Sequence, residues 1–484
     1  MPVKIFKRTV CFCLTLTLLA GCFPYLKSAG GGQTEYAPPR ELNAADVALP
    51  EGYQIEVVAQ GLSFPTGVTF DDKGRVYVVE AGYSYGEVFT TPRLVRIGAA
   101  GQLEVVATGS NPPWNGVTFY EDAFYVAGGT LGEGQVSRIT PQGEITTLVG
   151  GLPSLGDHHT NGPVVGPDGL LYFGQGTATN SGVVGADNAD FGWLARQPGF
   201  HDVPCEDVKL LGRNFTTRNP LTDDPQDLAT TGAYVPFGTR TTAGQVIAGR
   251  LPCGGSVMRI PLQGGEPELV AWGFRNPFGL AWSPEGQLYV VENSYDVRGS
   301  RPVFGSGDVL WQVEPGTWYG WPDFHGARPL TEEDQYRPPK EAAPGFVLEH
   351  QAEPPRPAAL LGVHSSSNGL DFSRADAFGH VGEAFIAQFG DMAPGVGKVL
   401  SPVGFKVVRV EVGSGVIQDF AVNRDPSGPA SKTGLAGLER PIAVRFSPDA
   451  TALYVVDFGV MTTGERIAPQ KGTGVLWRIT REER

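Results

Sequence analysis

One motif recurs six times along this chain, and no other feature constrains its fold as strongly. Each copy has a turn carrying Asn or Pro before a small residue, a short strand of alternating apolar residues, a polar or glycine-containing turn, and a second strand rich in Val, Tyr and Phe. The copies begin at Phe64 (FPTGVTFDDKGRVYVVEAG), Trp114 (WNGVTFYEDAFYVAGG), Thr160 (TNGPVVGPDGLLYFGQG), Arg275 (RNPFGLAWSPEGQLYVVEN), Ser367 (SNGLDF, with EAFIAQFG following from Glu383) and Arg440 (RPIAVRFSPDATALYVVDFG). Period-2 alternation on both sides of turns such as Pro167-Asp168-Gly169 and Pro284-Glu285-Gly286 marks β-hairpins. A third strand follows each copy and ends at Ile97, Ile139, Ile260, Val313, Val410 and Ile479. Sheets of three or four strands cannot bury both faces alone, but six arranged radially cover one another and leave only short edges. The expected fold is therefore all-β, a six-bladed β-propeller; a β-sandwich or parallel β-helix suits the uneven spacing and the count of six less well. The composition agrees: 41% hydrophobic and 10% aromatic residues supply a large core, and Gly 67 with Pro 40, aperiodic and mixed with apolar runs, suits a turn-rich β protein.

The spacing breaks once by a wide margin. Between the third and fourth repeats an insertion runs from about residue 185 to 254, and it carries Cys205 and Cys253. Long excursions in compact domains are usually functional or self-packed, so this one is expected to cap one face.

The N-terminus reads as an export signal. Lys4, Lys7 and Arg8 form a basic start, and Val10 to Leu19 an apolar stretch too short to span a bilayer. Leu19-Ala20-Gly21-Cys22 then resembles a bacterial lipobox, in which the cysteine is lipidated and becomes the first mature residue. The expected organisation is a lipoprotein signal peptide over 1–21, a Gly- and Pro-containing tether over 22–48 and the propeller over 49–484, anchored by lipid at Cys22 on the extracytoplasmic side of a cell-envelope membrane. Cys11 and Cys13 leave with the signal, so Cys205 and Cys253 remain as an even pair in an oxidising space, and a disulfide is predicted. The formal charge of -14, with no basic run after the first ten residues, argues against nucleic acid as a partner.

Propeller geometry gathers the residues that precede the inner strands around one mouth. His158 and His159 precede the third inner strand, Arg275-Asn276 the fourth, His364 the fifth and Arg440 the sixth, while Trp114-Asn115 opens the second. His and Arg at such slots are not core residues, because core positions here are Val, Leu and Phe.

The segments GDHHTNGPVVGPDGLLYFGQG from Gly156, GFRNPFGLAWSPEGQLYVVEN from Gly273, GDVLWQVEPGTWYGWPDFHG from Gly307 and RPIAVRFSPDATALYVVD from Arg440 resemble successive blades of the soluble pyrroloquinoline quinone (PQQ) glucose dehydrogenases and the related sorbosone dehydrogenases. The resemblance runs from about Leu49 to Ile479, and the last two blades are nearer the sorbosone branch. It implies PQQ and Ca²⁺ as cofactors, a small sugar as substrate, and hydride transfer from that sugar or a related aldose or polyol aldehyde to the quinone. His158 then falls on the catalytic base, a role suited to imidazole because the sugar hydroxyl must lose its proton near neutral pH. Asp157 and Trp114 fall on positions that meet the sugar, Trp114 where the glucose enzyme has Gln. Arg275, Asn276, Asn293 and Arg440 match quinone contacts, and Ser294 and Tyr295 match the loop that holds calcium through main-chain oxygens. The chain departs from the pattern at Gly162, which replaces an Arg, and near Gly390-Asp391, where the family has a Lys and the nearest one here is Lys398. No Cys-x-x-Cys-His haem motif is present, so electrons must leave to an external acceptor.

Two other functions fit a six-bladed propeller. One is a calcium-dependent, lactonase-like hydrolase drawing on Glu80, Glu292 and Asp457 after the inner strands; the other is a non-catalytic propeller binding a glycan or protein at the envelope.

Overall fold

The computed structural model describes residues 40–482, apart from 130–132, 191, 340, 351, 393–402 and 464–466. The lipobox cysteine Cys22, most of the tether and Lys398 lie outside the described residues. Six antiparallel sheets form the body, each running from an inner to an outer strand. The inner strands are Pro65–Phe70, Trp114–Tyr120, Thr160–Val165, Pro277–Trp282, Ser367–Phe372 and Pro441–Phe446. Each inner strand packs beside the next, and the sixth returns to the first. The expected six-bladed propeller is thus the observed fold.

Period-2 alternation produces this architecture because both faces of every blade are buried. In Leu288–Glu292 of blade four, Leu288 and Val290 join the core shared with blade three, whereas Tyr289 and Val291 join the core shared with blade five. The same division gives an apolar layer at each of the six blade junctions. The ring closes through the N-terminal segment: Tyr53–Leu62 precedes the first repeat but pairs with Gly474–Arg481 as the outer strand of blade six. Val47–Ala48 extends blade five beside Val416–Asn423.

The excursion from blade three is longer than the sequence suggested, running from residue 176 to 255 between the second and third strands of that blade. A second one, over 313–358 of blade four, carries no repeat signal and was not anticipated. The two pack together: Leu210 bridges Leu348, and Val208, Tyr234, Trp321 and Tyr336 share a core. Arg301, from the loop between the second and third strands of blade four, and Asp323 of the second excursion, both fully buried, form an ion pair at 2.6 Å. Cys205 and Cys253 are disulfide-bonded, tying the interior of the first excursion to its C-terminal end against the core of blade three. Replacing both by alanine is expected to cost about 2–4 kcal/mol, because the unfolded chain gains the entropy of an open loop; urea denaturation of the double variant measures it.

Candidate active site

A cleft of about 730 Å³ lies at the mouth of the ring and is walled on one side by the first excursion through Asp187, Trp193 and Arg218. His158, Arg275, Asn276 and Asn293 line it together, as do Asp157, Ser294 and Tyr295. Residues drawn from separate repeats therefore meet in one place.

His158 is buried, and its Nδ1 lies 2.9 Å from the Thr177 carbonyl oxygen. A carbonyl only accepts, so Nδ1 carries the proton and Nε2 keeps its lone pair. Burial, then the nearby Arg275 and Arg298 guanidinium groups, hold the imidazole well below its ordinary pKa. The ring is a neutral base with its basic nitrogen defined.

Behind it sits a charge network that the repeats do not reveal. Arg298, from the loop after the second strand of blade four, pairs with Asp157 at 2.5 Å, Asp187 at 2.7 Å and Asp296 at 3.2 Å. Arg275 pairs with Asp296 at 2.9 Å and donates further to the Asn180 side chain and to the carbonyls of Asn180 and Asn293. Burial would raise the Asp296 carboxyl, but the two guanidiniums override it and leave the group below its usual range. Burial dominates at Asp187, which is pushed up to about 6.

A chain of amides crosses the floor. Asn115 donates to Asn161 (3.2 Å), Asn161 to Asn276 (2.9 Å), Asn276 to Asn293 (2.9 Å), and Asn293 to the Ser367 carbonyl (2.6 Å). Every amide points the same way around the ring, which fixes which end of Asn276 and Asn293 faces which neighbour. Asn115 and Asn161 belong to the recurring motif, each following the first residue of its inner strand, so this part of the site was open to sequence reasoning.

Other expected residues stand elsewhere. The Trp114 ring lies in the core between blades one and two and does not line the cleft. Arg440 is fully buried between the rings of Phe389 and Phe405, about 5 Å from each centroid, and donates to the Phe389 and Gly390 carbonyls. The ladder registers, with Pro277 facing Glu292 and Pro441 facing Asp457, put Arg440 in the slot of Asn276, but its longer side chain packs between the two phenyl rings. The Tyr295 hydroxyl donates to the Phe324 carbonyl in the core, and Ser306 donates to the Tyr295 carbonyl. Asp308 accepts from the Ser294 backbone N–H and, through its other oxygen, from Ser365 and Ser367. Among the described residues no cluster of three His, Cys, Asp or Glu has metal-ligand geometry.

Glu80, Glu292 and Asp457 do not line the cleft or the channel beneath it. Each accepts the backbone N–H that leads into its own inner strand: Ser63, Arg275 and Arg440 respectively. They are struts, so the three carboxylates expected for the hydrolase alternative do not face the cleft.

No family model matches the sequence, and comparison with curated proteins gives no match. Solved structures do match. The PQQ domain of pyranose dehydrogenase from Coprinopsis cinerea, in its holo form, is 16% identical with a TM-score of 0.55, over 92% of this chain and 98% of that one. The calcium structure of a Trichoderma reesei carbohydrate-active enzyme of family AA12 is 15% identical with a TM-score of 0.53, over 93% and 99%. The PQQ-bound aldose sugar dehydrogenase from Streptomyces coelicolor is 17% identical with a TM-score of 0.50, over 90% and 99%. The fold is the same. At these identities the shared property is the propeller, and the chemistry has to be argued from the site.

Proposed function

We propose that this protein is a quinone-dependent oxidoreductase that oxidises an aldose or a related sugar, with PQQ and Ca²⁺ as its cofactors. The observation that carries the proposal is the juxtaposition of a neutral, buried histidine whose Nε2 is the basic nitrogen with Arg275, Asn276 and Asn293 on one wall of the cleft. The volume is in the usual range for a site that takes a cofactor and a small substrate. The same fold in sugar dehydrogenases bound to PQQ supports it.

The donor set fits a planar quinone, with amide N–H groups and a guanidinium as hydrogen-bond partners for its oxygens. Charge adds a condition. Among the described residues eight Asp and Glu but three Arg line the cleft, a balance that favours a cation beside an anionic cofactor. Calcium on the main-chain oxygens of Ser294 and Tyr295 would supply two positive charges next to Asp308. When bound, the quinone supplies the hydride acceptor. His158 accepts the substrate hydroxyl proton at Nε2, its Nδ1–H anchored on Thr177. Asp157, held by Arg298, fixes the backbone entering His158, and the Asn276–Asn293 pair presents its amides to the same cleft. Among the described residues no helix is long and apolar enough to cross a membrane; anchoring through lipid at Cys22, on the outer side of an envelope membrane, belongs to the same proposal, as does an external electron acceptor.

The test is reconstitution of the purified mature chain with PQQ and Ca²⁺ and dye reduction over a panel of sugars. Turnover supports the proposal. Lactone hydrolysis without quinone points to a hydrolase, and inactivity in both assays to a binding protein. Calcium removal has its own expected result: by absorbance titration, PQQ binds at least about tenfold more weakly to chelator-treated protein, since at least ~1.4 kcal/mol of charge compensation is lost. Equal affinity with and without calcium would show that the cleft balances the cofactor unaided.

A further inference from the structure

His158 is held by a loop that lies outside the repeat. Residues 176–182 leave the second strand of blade three and enter the first excursion, and two successive peptide groups of this loop meet the site. The Thr177 carbonyl lies 2.9 Å from His158 Nδ1, and the Ala178 carbonyl accepts the Asp157 backbone N–H at 3.0 Å. Two residues further on, the carbonyl and the side-chain oxygen of Asn180 accept from Arg275.

The other edge of the same two peptide groups is taken by one side chain. Asp202 Oδ1 accepts the Ala178 N–H at 2.7 Å and the Thr179 N–H at 3.2 Å, while Oδ2 accepts the Thr179 hydroxyl at 2.5 Å. A peptide group is planar, so fixing its N–H fixes the direction of its C=O. The Thr177 carbonyl and the Ala178 N–H share one plane, and the Ala178 carbonyl and the Thr179 N–H share the next. Asp202 therefore sets the aim of both carbonyls. The residue is buried, at 2% exposure, and burial pushes its carboxyl up to about 6. At neutral pH it is mainly ionised, and its hydrogen bonds are charge-assisted. Hydrogen bonds in series polarise one another, so a carboxylate on the N–H makes the carbonyl of that plane a better acceptor for Nδ1–H. Asp202 belongs to none of the six blade sheets. It lies within the first excursion, on a segment fastened by the Cys205–Cys253 disulfide and by the Gly254 N–H, which donates to the Val203 carbonyl at 2.9 Å.

We infer that Asp202 is a positioning residue for His158: through the peptide groups of 177–179 it holds the Thr177 carbonyl where it fixes the Nδ1–H tautomer and leaves Nε2 as the base. The inference rests on the proposed dehydrogenase function for the role of that base, but the tautomer can be read without cofactor or sugar.

Two measurements separate positioning from a merely structural role. The first is nitrogen NMR of the full mature chain, free of cofactor and labelled with 15N-histidine, at neutral pH. The chain has seven histidines, and His158 is assigned by the signal lost in His158→Gln. Wild type is expected to carry the proton on Nδ1. Asp202→Ala moves it at least partly to Nε2, the tautomer a free imidazole favours, whereas Asp202→Asn, whose Oδ1 still accepts both N–H groups, keeps it on Nδ1. The second is kcat for sugar oxidation per PQQ-loaded site, expected to fall roughly ten- to a hundredfold in Asp202→Ala with KM within about twofold, and to recover mostly in Asp202→Asn. Should Asp202→Ala not fold, Asp202→Ser, which keeps a hydroxyl but cannot serve three donors, replaces it in both measurements. A proton that stays on Nδ1 in Asp202→Ala, a kcat there close to wild type, or an equal loss in the alanine and asparagine variants overturns the inference and leaves the dehydrogenase function standing. If wild type oxidises no sugar, that function falls, and the nitrogen spectra decide the brace alone: a moved proton supports it, and an unmoved one overturns it.

Discussion

Replacing His158 by glutamine is expected to lower kcat by roughly two to four orders of magnitude with little change in KM, the usual worth of a positioned general base. Glutamine keeps nearly the same volume and sets a polar amide at the place of the ring's Nε2, with the N–H at the Nδ1 position given up. What it lacks is a basic lone pair. Steady-state kinetics on the reconstituted variant, with circular dichroism to establish folding, measures the effect; a loss under about tenfold would remove His158 from the chemistry. The pH profile gives a second readout. Burial, Arg275 and Arg298 hold the imidazole well below 6.5, so the base form persists under acid conditions that would protonate a free histidine. Activity is expected to fall only well below pH 6.5, and that limb disappears in the glutamine variant. The same shift acts on stability with a determined sign. The unfolded chain takes up the proton first, so the contribution is complete above pH 6.5 and is lost as pH falls toward the folded value. His159 and His325, each depressed to about 4 by burial, lose theirs between pH 6.5 and 4.

The propeller was legible because its physics is local and repeated. Alternation of period 2, turn residues at fixed offsets and six copies leave few other ways to bury both faces of each sheet. Closure was not legible, since Tyr53–Leu62 finds its partner across nearly the whole chain and carries no motif of its own. Within the site, residues of the repeat slots were found and residues of the loops were missed. His158, Arg275 and Asn276 stand at inner-strand entrances, whereas Arg298 and Asn180 come from loops and Asp187 from a short helix, Ala186–Asp190, none of them in the repeat. Counting slots was not enough for Arg440, which shares the slot of Asn276 but packs its guanidinium between Phe389 and Phe405, a contact that follows from the neighbouring side chains and not from the repeat. The carboxylates after the second strands show a further ambiguity. Glu80, Glu292 and Asp457 share a ladder position with Gln175 and Gln388. Gln175 accepts from Thr160 and Gln388 donates to Ser367 within the same blades. A slot filled equally by acid and amide requires hydrogen-bonding capacity, not charge, and that signal was present in the sequence.

The largest expected loss of stability follows replacement of Arg298 by methionine. The guanidinium is mostly buried and joins Asp157, Asp187 and Asp296 at one point. Methionine keeps much of the stem but removes the only cation that touches Asp157 and Asp187 among the described residues. Two buried carboxylates are then left without compensation, a situation that typically costs about 3–5 kcal/mol. The cost depends on pH in a way a packing defect does not. Asp187 already titrates at about 6, pushed up chiefly by burial and held from rising further by Arg298. Its folded value lies above the ordinary carboxylate range, so it favours the folded state at low pH and that contribution is lost as pH rises through 6. Without the arginine the value rises further and the loss extends to higher pH. Urea denaturation should therefore find the variant much closer to wild type at pH 5 than at pH 8. A deficit below about 1 kcal/mol at pH 8 would mean that water screens the network as it screens a surface ion pair. An equal deficit at both pH values would assign it to lost packing. Because Asp157 precedes His158, catalytic activity should fall along with stability at pH 8, and Arg298→Lys should recover only part of it, since an ammonium replaces the point charge but not the planar fork that meets three carboxylates at once.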